Sequence, residues 1–289
     1  MKRSKVWDFL FLFPTVFAFI MVILVPFGLG IYYSLTDWNG VRDTMNFVGF
    51  ENYVGMFQEK QFQFSFIITV LYTFINVALV NLVGFTLALL ATSKIKLKNL
   101  YRAGFFVPNL IGGIVLGYIW QFMFNNLFTA VFSAKSLLAS PSTVIWAMSI
   151  VNTWQYGGYI MMIYVAALQA IPDDVLEAAE VDGATYMIRL RKILIPMMAN
   201  SFTITLFLTL TNSFKQYDMN FTLTNGGPAT FFSGSVVKSS QLLAMDIYNT
   251  ANNANKLALA QSKAVVFFII LVVFSLIQVT LNRRKEIEA

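Results

Sequence analysis

Residues 177–184 read Glu177-Ala178-Ala179-Glu180-Val181-Asp182-Gly183-Ala184; eight residues follow, and the segment closes on Ile193-Leu194-Ile195-Pro196. This block lies in a charged stretch, about 169–196, between two long apolar ones, 143–168 and 197–217. Pro172 suits a first helical position, Asp173 and Asp174 favour the positive end of a helix, and Gly183 can end it in a left-handed conformation. One short helix over 172–182 follows, with Asp173, Glu177 and Glu180 on one face and the small residues Ala179 and Gly183 beside Leu176 on the next. Thr185 then caps a second short helix to about Ile193, with Arg189, Arg191 and Lys192 near its negative end, and Pro196 opens the next apolar segment.

Working outward, the flanking stretches are two of six. The chain has 289 residues, 57% hydrophobic and 12% charged, with 29 Phe and a mean hydropathy of +0.67. That much apolar surface cannot be hidden in a soluble core, so lipid is its solvent. A helix needs about 20 apolar residues to cross the hydrocarbon layer, and the segments 9–34, 64–92, 104–124, 143–168, 197–217 and 264–282 qualify. The fold class read here is therefore an all-α, polytopic membrane protein of six spans, one transmembrane domain over 1–289. Lys and Arg orient it, because basic residues in short loops stay cytoplasmic. Thirteen of the 20 fall on one side: Lys2, Arg3, Lys5, Lys94, Lys96, Lys98, Arg102, Arg189, Arg191, Lys192, Arg283, Arg284 and Lys285. Both termini and the 169–196 loop are then cytosolic, and the loops at about 35–63, 125–142 and 218–263 are extracellular. The first stretch follows Lys2-Arg3-Ser4-Lys5 like a secretory signal, but its apolar run exceeds the usual length of about 7–15 residues, so it stays as a helix.

Composition also excludes chemistry. With no Cys and no His, disulfides, thiolate nucleophiles, the usual general base and the commonest metal ligands are all missing. No paired acid and base and no Gly-rich phosphate loop is present. The chain reads as a non-enzyme with no cofactor or metal of its own. Its net charge of +6 marks topology and contact with anionic membrane lipid; no basic cluster lies on a soluble domain, which excludes nucleic acid as a partner.

The 177–196 block resembles the EAA loop of ABC importer permeases, the cytosolic segment through which a membrane subunit docks onto a separate ATPase. Glu177, Ala178, Ala179, Asp182, Gly183, Ala184, Ile193 and Pro196 occupy the matching positions, while Leu190 stands where many members carry an aromatic residue and Ile195 where they carry Leu. Thr36-Asp37-Trp38-Asn39-Gly40, Phe47-Val48-Gly49-Phe50-Glu51-Asn52-Tyr53 and Leu223-Thr224-Asn225-Gly226-Gly227-Pro228-Ala229 resemble corresponding segments of sugar-type permeases, so the likeness covers nearly the whole chain. It implies a type I importer permease fold and a bacterial cytoplasmic-membrane location. It also implies these partners: a second homologous permease in a heterodimer, an ATPase dimer holding ATP and Mg, and an extracellular or periplasmic sugar-binding protein. Without the resemblance the loop would read as an amphipathic connector on the membrane surface.

Polar residues inside spans are costly and face a bundle interior or a water-filled cavity. Thr209, Ser213 and Gln216 fall at i, i+4 and i+7, with Asn212 beside them, as one polar stripe suited to sugar hydroxyls. Tyr118, Trp120, Trp154 and Tyr156 supply aromatic faces in the third and fourth spans, with Asn109, Gln121, Asn152 and Gln155. By resemblance, the substrate-pathway candidates are Asn109, Gly113, Gln155, Tyr156, Thr209, Ser213 and Gln216. The same residue types also bridge helices in lipid, and both readings stay open. Lys215 and Asp218 read as a solvated helix end, with an ion pair or gate as the alternative. Two further classes compete: an ion-driven carrier, which would carry ionisable residues deep in its spans, and a lipid-modifying enzyme, which lacks its usual side chains here.

Overall fold

Proline and glycine decide where the long apolar segments become helix and where they break. The computed structural model of the chain describes residues 5–42, 44–93 and 96–283. Lys2, Arg3, Lys94, Arg284 and Lys285, used above for orientation, lie outside the described residues, as do the side chains of Lys5 and Arg283. The first apolar segment forms α1 (Lys5–Phe19), a π-helical turn at Ile20–Leu24 and α2 (Val25–Ser34). Pro26 lies two residues past that turn, and a proline ring crowds the carbonyl four residues back, which a locally widened helix relieves. The same pairing recurs at Leu190–Leu194 and Pro196.

Contacts divide the described residues into two compact units. The first comprises residues 5–59 and 246–269. After α2 comes a loop pinned by the bridge Thr36↔Phe47 and by Asn52, whose Nδ2 donates to the carbonyls of Ser34 (2.9 Å) and Thr36 (2.7 Å) at the mouth of α3 (Glu51–Gln58). Here Asp37 accepts the Asn46 N–H at 2.7 Å and its side-chain amide at 3.0 Å, and these donors hold the Asp37 carboxyl below its usual range.

The second unit, residues 60–245 and 270–283, is built on α4 (Lys60–Thr92). After it come α5 (Lys98–Phe106), a 3₁₀ turn at Val107–Leu110, α6 (Gly113–Phe122), a π segment at Met123–Phe128 and α7 (Thr129–Phe132). Next stand α8 (Val144–Gln169), α9 (Asp173–Val181), α10 (Tyr186–Arg189), α11 (Ile195–Met197), α12 (Ala199–Phe214) and α13 (Asp218–Thr224). An antiparallel hairpin, β1 (Ala229–Phe232) with β2 (Ser235–Lys238), follows, so the architecture is mainly rather than wholly helical. The chain ends with α14 (Leu243–Asn252) and α15 (Leu257–Arg283). The pair α4 and α8 packs more extensively than any other two elements. Two apolar cores lie along it, one around Tyr72, Met148, Leu116 and Met219, the other around Val80, Ile160, Tyr164 and Met198.

Among the described residues, four helical segments are long and apolar enough to cross a membrane: Leu10–Ser34, Lys60–Thr92, Gly113–Phe132 and Leu257–Asn282. Two bent pairs, α8 with α9 (69°) and Tyr186–Met197 with α12 (70°), raise the number to as many as six. The third segment differs from the 104–124 expected. Pro108 and Gly112 break the chain after α5, so the long helix begins at Gly113 and runs to Phe132, taking up the start of the expected 125–142 loop. The expected 218–263 loop is likewise structured, holding α13, the hairpin and α14.

The crossing of α5 over α8 depends on Gly158, where a β-carbon would come 1.8 Å from the Phe105 carbonyl oxygen. Gly158→Ala therefore lowers stability by about 1–3 kcal/mol through overpacking. Gly104→Ala on α5, where nothing lies within 4 Å, is neutral or raises stability by up to about 1 kcal/mol; thermal unfolding in detergent compares the two.

Candidate functional site

The sequence expectations fall mainly on two groups of side chains, and the first is the 169–196 loop. Helix α9 begins after Pro172, which is the extended residue preceding the helix rather than its first helical position. It ends in a hydrogen-bonded cap: Ala184 N–H donates to Ala179 O (2.9 Å) and Gly183 N–H to Glu180 O (3.0 Å), with Gly183 at φ +76°. This double bond pattern around a left-handed residue satisfies carbonyls that a helix end otherwise leaves orphaned. Thr185 is extended and starts the second helix, which continues through the π segment to Met197, past the expected end at Ile193. Pro196 consequently closes this helix. The long helix α12 starts at Ala199, beyond the 70° bend at Met198.

An ion pair between Glu180 and Arg189 ties the two short helices across the turn. Glu177, Ala178, Asp182 and Gly183 are exposed, Ala179, Ala184, Ile193 and Pro196 half-buried. Val181 is 88% exposed and Tyr186, Met187 and Ile188 are exposed beside it. The capped turn thus carries exposed carboxylates and uncovered apolar side chains together. No atom lies within 4 Å of the position a Gly183 β-carbon would take, so the turn is open to close approach from outside.

The second group surrounds a polar cavity of about 210 Å³, lined by Gly113, Gln155, Tyr156, Asn212, Lys215, Gln216, Tyr217, Asp218 and Met219. Gly113 is there because a side chain would strike Asp218: its β-carbon would come 2.9 Å from the Asp218 Cβ. Gln155 is oriented by donating its Nε2–H to Ile111 O at 2.9 Å. Lys215 and Asp218 are exposed at the end of α12 and the start of α13, in keeping with a solvated helix end, and they also contribute both charges of the lining. Asn109 lies outside it, in the Val107–Leu110 turn. Trp120 and Trp154 stack edge-on, 5.6 Å apart, in an aromatic cluster with Phe124 rather than beside the cavity.

The expected stripe divides. α12 ends at Phe214, so Gln216 leaves the helical register of Thr209 and Ser213 and turns to the cavity. Thr209 and Ser213 are 4% and 0% exposed and face other helices. Asn76 on α4 donates to Ser213 Oγ (2.7 Å) and to Asn152 Oδ1 on α8 (2.8 Å). Asn81 donates to Thr209 Oγ1 (2.9 Å) and accepts from the Tyr164 hydroxyl (2.8 Å), which in turn accepts from Thr205 (2.7 Å). Sequence reasoning did not single out Asn76, Asn81 or Tyr164, although an amide inside the apolar run 64–92 is itself a signal. Among the described residues no group of three or more Asp or Glu converges as a metal site.

Comparison with known proteins joins these features. The family described as "Binding-protein-dependent transport system inner membrane component" matches residues 80–287. The chain is 39% identical over 292 residues, 99% of its own length and 97% of the relative's, to the probable starch degradation products transport system permease protein AmyD of Thermoanaerobacterium thermosulfurigenes. It is 27% identical over 291 residues, 98% of each chain, to the multiple sugar-binding transport system permease protein MsmF of Streptococcus mutans. In fold it matches, with a TM-score of 0.80 at 17% identity over 97% of this chain and 99% of the other, a chain from the crystal structure of a bacterial ABC transporter involved in the import of the acidic polysaccharide alginate.

The two roles within the stripe separate experimentally. Asn81→Leu loses interhelical bonds to two partners and lowers stability by about 1–2 kcal/mol. Gln216→Leu, outside the network, stays within about 0.5 kcal/mol of wild type. Thermal unfolding of both variants reads this, and equal shifts would mean that Gln216 also holds helices together.

Proposed function

The chain belongs to the binding-protein-dependent transport system inner membrane components, and from that premise we propose that it forms half of the translocation pathway of a carbohydrate ABC importer. It is a permease component and not an enzyme. The observation that carries the substrate class is the end-to-end similarity to a permease named for starch degradation products, together with a cavity whose lining offers amide, phenol and opposite charges to hydroxyl groups. A di- or oligosaccharide fits this reading. At about 210 Å³ the cavity is smaller than the roughly 300–1,000 Å³ of a complete small-molecule site, as expected of one wall completed by a second, homologous permease in a heterodimer.

In this reading the chain is one six-span permease domain with both termini and the 169–196 loop in the cytosol of a bacterium. The capped turn of α9, with Glu177, Ala178, Ala179, Asp182, Gly183 and Ala184, docks on an ATPase dimer that binds ATP and Mg, and Ile193 and Pro196 lead from it to α12. Nucleotide-driven closure of the ATPase then moves the bent helix pairs as rigid bodies. A sugar-binding protein delivers substrate from outside to Gly113, Gln155, Tyr156 and Gln216. Thr209 and Ser213 act indirectly, by holding α12 to Asn81 and Asn76 of α4, and Asn109 stands at the break before α6.

The absence of Cys makes topology directly testable: Asn253→Cys reacts with a membrane-impermeant thiol reagent in intact cells, and Val181→Cys does not. The reverse pattern overturns the orientation. The function is tested by ATP hydrolysis of the assembly that copurifies with this chain in lipid, its binding protein added, across mono-, di- and oligosaccharides. One sugar class stimulates hydrolysis, and Gly183→Asp, which forces a charged side chain into the docking turn, reduces that stimulation about tenfold or more; if no ATPase copurifies, the docking proposal fails.

A further inference from the structure

An ammonium group is withdrawn from solvent at the start of the last long helix. Lys263 on α15 is 1% exposed, and its Nζ lies 2.6 Å from Glu59 Oε2, 2.8 Å from Asp246 Oδ2 and 2.8 Å from Thr250 Oγ1. An ammonium has three N–H donors, matching these three acceptors. Asp246 and Thr250 lie one turn apart on α14, and the Thr250 hydroxyl donates to the Asp246 carbonyl at 2.8 Å. Glu59 is the residue before α4 begins at Lys60. The cluster therefore joins the approach to one long helix, the start of another, and α14.

A buried ion cluster is a poor way to gain stability, because well-packed apolar side chains of similar volume hold helices equally well. What point charges add is register. The other use of buried charge in a membrane protein is an ion or proton path. That path needs successive sites, yet among the described residues no other Asp, Glu, Lys or Arg is buried.

We infer that Lys263 is a positioning residue of the transport cycle, locking α15, α14 and the entry to α4 into one outer assembly through Glu59 and Asp246, so that a binding protein seated there moves helix ends rather than loops. The inference rests on the proposed importer function for its partner and its sidedness.

The test uses the complete importer in lipid vesicles, with hydrolysis measured with and without the sugar-loaded binding protein. Lys263→Met assembles and keeps basal hydrolysis, while stimulation by the binding protein falls about tenfold or more, the size of a typical coupling between sites. The exchanged pair Lys263→Asp with Asp246→Lys recovers stimulation relative to Lys263→Met, which a bulk packing defect would not. Should Lys263→Met fail to assemble, Thr250→Val and Glu59→Gln, each weakening one arm, give smaller losses of stimulation with basal hydrolysis kept. Wild-type stimulation in Lys263→Met, or in both weaker variants, overturns the inference. A wild-type assembly that does not respond to any binding protein overturns the importer reading instead.

Discussion

Inside a membrane a polar group needs a partner within the protein, and the seam between α4, α8 and α12 is where this chain meets much of that demand, with Asn76 Oδ1 and Asn152 Nδ2 left unpaired. Asn76 and Asn81 reach from α4 to Ser213 and Thr209 on α12, with Asn152 and Tyr164 of α8 completing the sets. Each such bond contributes only about 0.6 kcal/mol on average, but the alternative is an amide stranded among hydrocarbon. The bonds therefore select one register among the many that apolar packing alone would tolerate. The apolar cores around Tyr72 and Tyr164 lie along the same seam, and the polar cavity opens at the end of α12, where Asn212 and Gln216 line it.

Once that register is set, the breaks in the helices acquire purpose. Extended backbone at Ile111 and Gly112 ends the α5 approach, and Gly113 lets α6 start beside Asp218. The bends at 169–173 and at Met198 carry the chain out of the bundle, round the Gly183 cap, and back. The loop between them is stiff because its carbonyls are satisfied by backbone N–H groups and because Glu180 pairs with Arg189. A stiff element at the end of a packed helix transmits displacement, whereas a soft one would absorb it. In the first unit, Lys263 with Glu59 and Asp246 applies the same economy of a few fixed polar contacts.

Much of this was legible beforehand, for identifiable reasons. The 57% apolar composition and the run lengths announce a membrane protein. The Gly183 turn is visible because a helix start, a small-residue strip and a left-handed glycine have separate local signals. Hydropathy sets the start of the third long helix too early because it does not see that the chain breaks between Pro108 and Gly112 within an apolar run. Helical spacing puts Gln216 in a stripe with Thr209 and Ser213 only when it is extended past Phe214, where the helix ends.

By itself the sequence determined the solvent of this protein, its long apolar segments, its family and the turn at Gly183, because each depends on residues close together along the chain. Only the tertiary structure decided that Thr209 and Ser213 bind neighbouring helices while Gln216, Lys215 and Asp218 line a cavity, and that Lys263 meets Glu59 and Asp246. A hydroxyl or an ammonium carries no mark of its partner. The partner is set by which helices cross at that depth, and that follows from packing the whole chain.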